Sequence, residues 1–233
     1  MLTQLSQLNN FSSSETETFF NFCLQHKNES SSQLFQDLFI RYQLNEREKG
    51  YFVEFGATDG IHWSNTKALE KNLQWTGILA EPAKFWHPYL KQNRKSLIDT
   101  RCVWEKTGEI LEFNEVKSEA ELSTIKSFTN ADHHGKSRID GDNYQVYTIS
   151  LEDLLLTYNA PKKIDYLSID TEGSEFSILN AFDFSKYQIN IITVEHNYTF
   201  QREEIFKLLT KNGFSRKFIE FSMWDDWYVN QFN

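Results

Sequence analysis

The 233-residue chain has only two cysteines, and its 24 lysines and arginines are outnumbered by 33 aspartates and glutamates. Cys23 and Cys102 lie far apart and neither sits in a C-x-x-C pair, which argues against a disulfide framework and against a cysteine zinc site. A formal net charge of -9, with basic residues scattered and not clustered, disfavours a phosphate backbone or an anionic membrane surface as partner. No apolar stretch approaches the roughly 18–20 residues needed to span a bilayer. The opening, Met1 to Phe11, lacks the basic-then-apolar pattern of a signal peptide. These absences set an expectation: a cytoplasmic protein with no membrane insertion and no nucleic-acid partner. Oligomeric state has no signature in the sequence.

With 39% hydrophobic and 15% aromatic residues, the chain suits one globular domain with a sizeable core. Residues 1–14 are rich in Ser, Asn and Gln and read as weakly ordered. Ser14 followed by Glu17 resembles a capping box ahead of Phe19, Phe20 and Cys23, and the serines at 30–32 precede Leu34, Leu38, Phe39 and Tyr42 at helical spacing. Two helices are expected there, packed over one end of a sheet, as an N-terminal helical extension spanning 1–45. From residue 46 to 233, short apolar runs alternate with helical stretches. Strands are expected at 51–55, 76–80, 96–100, 164–169 and 189–194, with helices at 64–72, 84–93, 151–158, 174–182 and 201–212. Such alternation implies an α/β fold with a mostly parallel sheet and helices on both faces. Two runs at 215–221 and 226–231, with no helix between them, predict an antiparallel hairpin at the sheet edge. The polar stretch near 115–143 reads as an insertion, either a lid or substrate-binding segment or a solvated loop.

The run Y-F-V-E-F-G-A-T-D-G predicts a strand ending at Phe55 that releases into a glycine turn, where ligands of open α/β sheets bind. Gly56-x-x-x-Gly60 differs from a dinucleotide fingerprint, and the absence of a following Lys-Ser/Thr excludes a phosphate-binding P-loop. That spacing also disfavours a nicotinamide-dependent oxidoreductase. Glu54 and Asp59 make the turn a poor neighbour for pyrophosphate and a good one for a cation. Twenty-five residues after Gly56, G-I-L-A-E-P places Glu81 at the next strand end, where a carboxylate can accept both ribose hydroxyls. A ribose joined to a positively charged group is the indicated ligand, and S-adenosylmethionine fits that description.

These segments, G-Y-F-V-E-F-G-A-T-D-G-I-H-W-S-N-T-K-A-L-E, W-T-G-I-L-A-E-P and Y-L-S-I-D-T-E-G-S-E, closely resemble the FkbM-type S-adenosylmethionine-dependent methyltransferases, as does S-Q-L-F-Q-D at 32–37. The resemblance covers about residue 30 to 215. It implies a Rossmann-like class I methyltransferase fold with a seven-stranded sheet. It also implies cofactor contacts from Glu54, Gly56, Ala57 and Asp59, from Glu81 and Pro82, and from Gln36 and Asn65. Cys102 and Val103, after the third strand, would lie beside the adenine, and Ser123 in E-L-S-T-I would join them.

Methyl transfer to a hydroxyl needs alignment and a route for the departing proton. Asp170-Thr171-Glu172 and Glu195-His196-Asn197 close two adjacent strands, so both ends face the transferred methyl. In one reading Asp170, Glu195 and His196 hold Mg²⁺ or a similar divalent cation, with Glu172 taking the proton. In the other no metal binds, and Asp170, Glu172 or His196 acts directly as base; Asp170 also borders the cofactor. Glu175 reads as a helix-terminal structural acid, His133 and His134 as loop histidines, and Trp224, Trp227 and Tyr228 as edge-strand core. His62 and Trp63 are placed to wall the pocket. The resulting expectation is an O-methyltransferase acting on a hydroxyl of a sugar, glycan or related polar metabolite. The alternative is a non-catalytic binding or scaffold protein that retains the fold, which would be expected to lose these acids.

Overall fold

A computed structural model describes residues 14–232; the weak order expected of the segment before Ser14 lies outside the described residues. Two helices, α1 (Ser14–His26) and α2 (Gln36–Gln43), precede the sheet. The first half of the sheet is β1 (Tyr51–Phe55), α3 (Lys67–Leu73), β2 (Thr76–Ala80), α4 (His87–Asn93) and β3 (Leu97–Asp99). Then come β4 (Cys102–Trp104), β5 (Ile110–Glu115), β6 (Thr124–Ile125) and β7 (Asp142–Ser150). The chain continues as α5 (Leu151–Thr157), β8 (Lys163–Ile169), α6 (Glu175–Ala181), β9 (Gln188–Glu195) and α7 (Gln201–Lys211). It closes with β10 (Phe214–Lys217), α8 (Ile219–Ser222) and β11 (Asp225–Asn230).

The main sheet has seven strands in the order β10-β11-β9-β8-β1-β2-β3. Its five central and outer strands from β9 to β3 run parallel, while β11 is antiparallel to β9 and to β10. The expected Rossmann-like sheet with a C-terminal antiparallel edge is therefore present. The strand order reverses between β1 and β8, which opens a crevice at their carboxyl ends.

Both faces are covered. Val53, Phe55, Leu167, Ile169, Ile192 and Val194 point to the face packed by Leu154, Ile178, Ile205 and Leu209 of α5, α6 and α7. Phe52, Leu79, Tyr166, Ile191 and Trp227 point the other way, toward α1 to α4 and α8. The two N-terminal helices lie in that second layer and do not cap an end of the sheet. Phe19 stacks on Phe218 with ring centroids 4.5 Å apart, and Phe39 stacks on Trp227 at 4.9 Å. These aromatic side chains bury too much apolar area to sit at a rim. The serines at 30–32 meet α2 through a carboxylate: Ser30 Oγ and Ser31 N–H donate to Asp37 at 2.6 and 2.7 Å.

Two departures from the sequence pattern are local. The run at 215–221 breaks after Lys217, because Phe218 takes a left-handed φ of 49° and starts the short helix α8. The polar stretch near 115–143 belongs to a second, four-stranded sheet of order β4-β7-β5-β6. That sheet has its own small core of Ala83, Cys102, Phe113, Ile125 and Val146. The segment between β6 and β7 is pinned by Arg138, whose side chain is fully buried. Its guanidinium spans Asp132, at 2.8 and 3.0 Å, and Glu172, at 2.5 Å. Among the described residues no helix is long and apolar enough to cross a membrane.

Candidate active site

A cavity of about 500 Å³ opens where β1, β2, β8 and β9 end, roofed by the segment between β5 and β7. At the β1 exit, Gly56 adopts φ +71° and a Cβ there would run into the carbonyl oxygen of Asp170. Only glycine lets β1 and β8 release their chains this close together. Gly60, at φ +76°, backs onto Leu90 and Arg94 in the same way. Asp59 sits between them, its Oδ1 accepting the N–H groups of Ile61 and His62 at 2.8 Å each.

Glu54 lies behind this turn. Its carboxylate accepts the N–H of Asn65 at 2.7 Å and the hydroxyls of Ser64 and Thr66, and pairs with the buried Arg94 guanidinium at 3.6 Å. Ser64 Oγ in turn accepts the N–H of Lys67, the first residue of α3, at 3.1 Å. Glu54 therefore fixes the 64–66 turn, and neither it nor Ala57 is among the cavity-lining residues. The turn presents Asn65, whose Nδ2 donates to Ser168 at 3.0 Å. Its Oδ1 is buried without a partner, and so is Nε1 of Trp86, another cavity residue. Buried unpaired polar atoms are rare in folded proteins and call for an explanation.

Glu81 sits at the end of β2, accepting the N–H groups of Thr58 and Ala83 at 2.8 and 2.7 Å. Burial pushes its carboxyl up to about 7, the two N–H donors pulling back and Glu115 and Asp170 adding to the rise. Beside it the lining turns apolar, with Pro82, Cys102, Val103, Phe113 and Ile125. Cys102 is a buried thiol pushed up to about 12 by loss of solvent. Ser123 borders the same cavity but spends its hydroxyl within its loop, donating to Ala120 O at 2.6 Å and accepting from Val116 N–H. Gln36 borders it from α2, accepting from Leu34 N–H and donating to Asp225 at 2.7 Å.

On the far side, Asp170, Glu172 and Glu195 present carboxylate oxygens within 4.8 Å of one another. Burial raises all three, Asp170 to about 7, and each also feels the negative charge of neighbouring acids. Asp225, buried next to them, is pushed up to about 8 by the same two causes. Among the described residues the one guanidinium in contact is that of Arg138, on Glu172. Glu175 is buried too, but it closes the turn after β8 by accepting from Thr171 N–H and Gly173 N–H at 2.9 and 3.0 Å, a structural role as expected.

His196 does not join this group. Its Nδ1 accepts the N–H of Tyr198 and its Nε2 donates to the carbonyl of Asp225, each at 3.0 Å. Burial lowers its pKa to about 4, so it is a neutral ring with both nitrogens engaged. Glu172 stands where the sequence pattern suggested this histidine as the third metal ligand. Of the other expectations, His62 and Trp63 line the cavity, Trp227 and Tyr228 are core, and Trp224 lines the cavity instead. His133 and His134 also line it, their rings 3.9 Å apart. Arg138 and Asp225 leave no mark in the sequence. A lone arginine in a polar stretch carries no periodicity, and Asp225 precedes the apolar run that marks β11.

No curated protein matches the chain. Among solved structures, one described as an RNA methyltransferase from Pyrococcus horikoshii is 11% identical, covers 98% of this chain and 95% of its own, and superposes with a TM-score of 0.41. One described as a caffeoyl-CoA O-methyltransferase from Staphylococcus aureus is 14% identical, with 98% and 97% covered and the same TM-score of 0.41. Residues 54–216 match the family model of the methyltransferase FkbM domain, and the chain belongs to that family of S-adenosylmethionine-dependent methyltransferases.

Proposed function

We propose that the chain is an S-adenosylmethionine-dependent O-methyltransferase acting on a hydroxyl of a sugar, glycan or related polar metabolite. In this reading residues 46–233 form the methyltransferase domain, residues 1–45 a helical extension of it, and the segment near 115–143 an insertion that covers the site. The observation that carries it is the pairing, in one cavity, of Glu81 at the β2 end with the three carboxylates of β8 and β9.

The residues present fit the cofactor. Glu81 is placed for the ribose hydroxyls, with lone pairs left after its two backbone donors. The unpartnered Asn65 Oδ1 and Trp86 Nε1 offer one acceptor and one donor to a polar ligand. Pro82, Cys102 and Val103 supply an apolar wall for a base, and Gly56, Asp59 and Gln36 border the remainder. Glu54 and Ala57 support this set from behind. When bound, the cofactor supplies a methyl group made electrophilic by a sulfonium. An acidic cavity stabilises that positive charge.

The acceptor hydroxyl must lose a proton as it attacks. Asp170, Glu172 and Glu195 would hold Mg²⁺ or a similar hard cation, which would lower the hydroxyl's pKa. A metal-free route has its own support, because Arg138 already engages Glu172 and Asp170 is raised to about 7, close to what a general base requires. His196 has no free nitrogen for either role. Chelation separates the two: loss of turnover with EDTA and its return with Mg²⁺ supports the metal, whereas EDTA-resistant turnover abolished in Asp170→Asn supports the direct base. A scaffold function would leave a cavity without its acids, yet Asp59, Glu81, Asp170 and Glu172 all line this one.

A further inference from the structure

One wall of the cavity is built from residues that neither the cofactor nor the proton-transfer assignment uses. Trp63 forms an isolated bridge with Ser32, the adjoining Gln33 accepts from Trp224 Nε1 at 3.2 Å, and Trp224 O accepts the N–H groups of His196 and Asn197. Trp63, Gln33, Trp224, Asn197 and Tyr198 thus form one connected strip, and all five line the cavity. Three of them are held in left-handed backbone, Trp63 at φ 56°, Asn197 at 44° and Tyr198 at 57°. Bulky residues adopt that conformation at a cost, and such outliers gather at ligand sites. Trp63 and Tyr198 remain 46% and 62% exposed, although large aromatic side chains are usually covered.

The charge of the cavity is one-sided. Among the described lining residues there is no lysine or arginine, while Asp170, Glu172 and Glu195 stand at the floor and Glu119 and Glu121 in the roof. Arg138 is already committed to Asp132 and Glu172. Three imidazoles, His62, His133 and His134, are the nitrogen bases of the lining, so a phosphate or carboxylate on the acceptor would meet an excess of acids with no lysine or arginine to pair it. A ring with an apolar C–H face and several hydroxyls would lie against the aromatic strip and donate to the carboxylates. Gln33 and Asn197 would add amide partners.

We propose that this strip is the acceptor subsite, and that it selects a glycosyl unit free of anionic substituents, either neutral or amino-substituted. This rests on the reading that the Glu81 side of the same cavity holds the cofactor. The test uses the full chain saturated with S-adenosylhomocysteine, whose binding is established first by calorimetry. Methyl glycosides of a hexose, a hexosamine, a hexuronic acid and a hexose 6-phosphate are then compared by saturation-transfer NMR. The neutral or amino glycoside should bind about tenfold more tightly than the two anionic ones. Trp63→Ala and Tyr198→Ala should each weaken it about fivefold while S-adenosylhomocysteine affinity stays within about twofold. Equal or tighter binding of an anionic glycoside overturns the inference, as does absence of any glycoside binding to the saturated protein. So do aromatic variants that weaken the cofactor instead. Failure of S-adenosylhomocysteine itself to bind removes the cofactor reading, and the inference with it.

Discussion

Two carboxylates carry the proposed chemistry at the residue scale. Glu81 keeps both oxygens fixed by backbone N–H groups, so its geometry does not depend on a mobile side-chain partner. Hydrogen bonds to charged groups contribute about 1.5–3 kcal/mol, so Glu81→Ala should weaken S-adenosylmethionine roughly 10- to 100-fold, measured by titration; unchanged affinity would remove its ribose role. The acids raised by burial also predict a pH effect. Glu81 and Asp170 titrate near 7 and Asp225 near 8 in the folded protein, against ordinary values of 4.5 and 3.8. The unfolded chain therefore releases these protons first. Their contribution to stability is complete below about pH 4 and is lost as pH rises through 7 to 8. His196 opposes this only below its ordinary 6.5. Thermal melts of the ligand-free protein should accordingly show Tm falling between pH 6.5 and 8. A Tm that climbs across that window would contradict the assignment.

At the scale of elements, the segment between β6 and β7 is tied to the ends of β8 and β9 chiefly through Arg138, with Asn197 Nδ2 also donating to Asp132 at 3.4 Å. Arg138 reaches Glu172, Asp132 and the carbonyl of Leu122 at once. Breaking one side of a buried ion pair costs roughly 3–5 kcal/mol because charge is left uncompensated. Arg138→Gln should therefore lower Tm and speed amide hydrogen exchange across residues 126–140 while exchange in β8 and β1 changes little. Exchange in that segment matching the wild type would show that the arginine does not hold it. This link was invisible in the sequence. The 115–143 stretch is polar and aperiodic, and its order comes from a small sheet and a buried guanidinium, neither of which leaves an amphipathic pattern. The strands β1, β2, β8 and β9 were legible because burial on both faces forces continuous apolar runs. The break at Phe218 was not, since a left-handed φ at a phenylalanine is imposed by packing against Phe19 and Phe39.

For the whole molecule, topology explains why distant motifs meet. Strand order β9-β8-β1-β2 brings Asp170 and Glu195 beside Gly56 and Glu81, across sequence separations that carry no local signal. The glycine turn, Glu81 and D-T-E-G-S-E could be read as a site from chemistry alone, because each sits where a strand ends. The third member of the carboxylate group could not: the sequence pattern points to His196 beside Asp170 and Glu195 and to Glu172 as the base. Only the folded chain shows both nitrogens of His196 already bonded. A ligand present at 100 times its Kd stabilises by about 2.7 kcal/mol, which for a domain of this size raises Tm by roughly 5–10 °C. S-adenosylhomocysteine should produce that shift, and Mg²⁺, if the carboxylates hold it, should add a further rise that is larger at pH 8 than at pH 6.5, because protons then compete less for the same oxygens.

The most direct test of the account is calorimetric titration of the full chain with S-adenosylmethionine and S-adenosylhomocysteine, run beside Glu81→Ala. Saturable binding of about one ligand per chain is expected, lost or strongly weakened in the variant. Absence of binding to the wild type would contradict it.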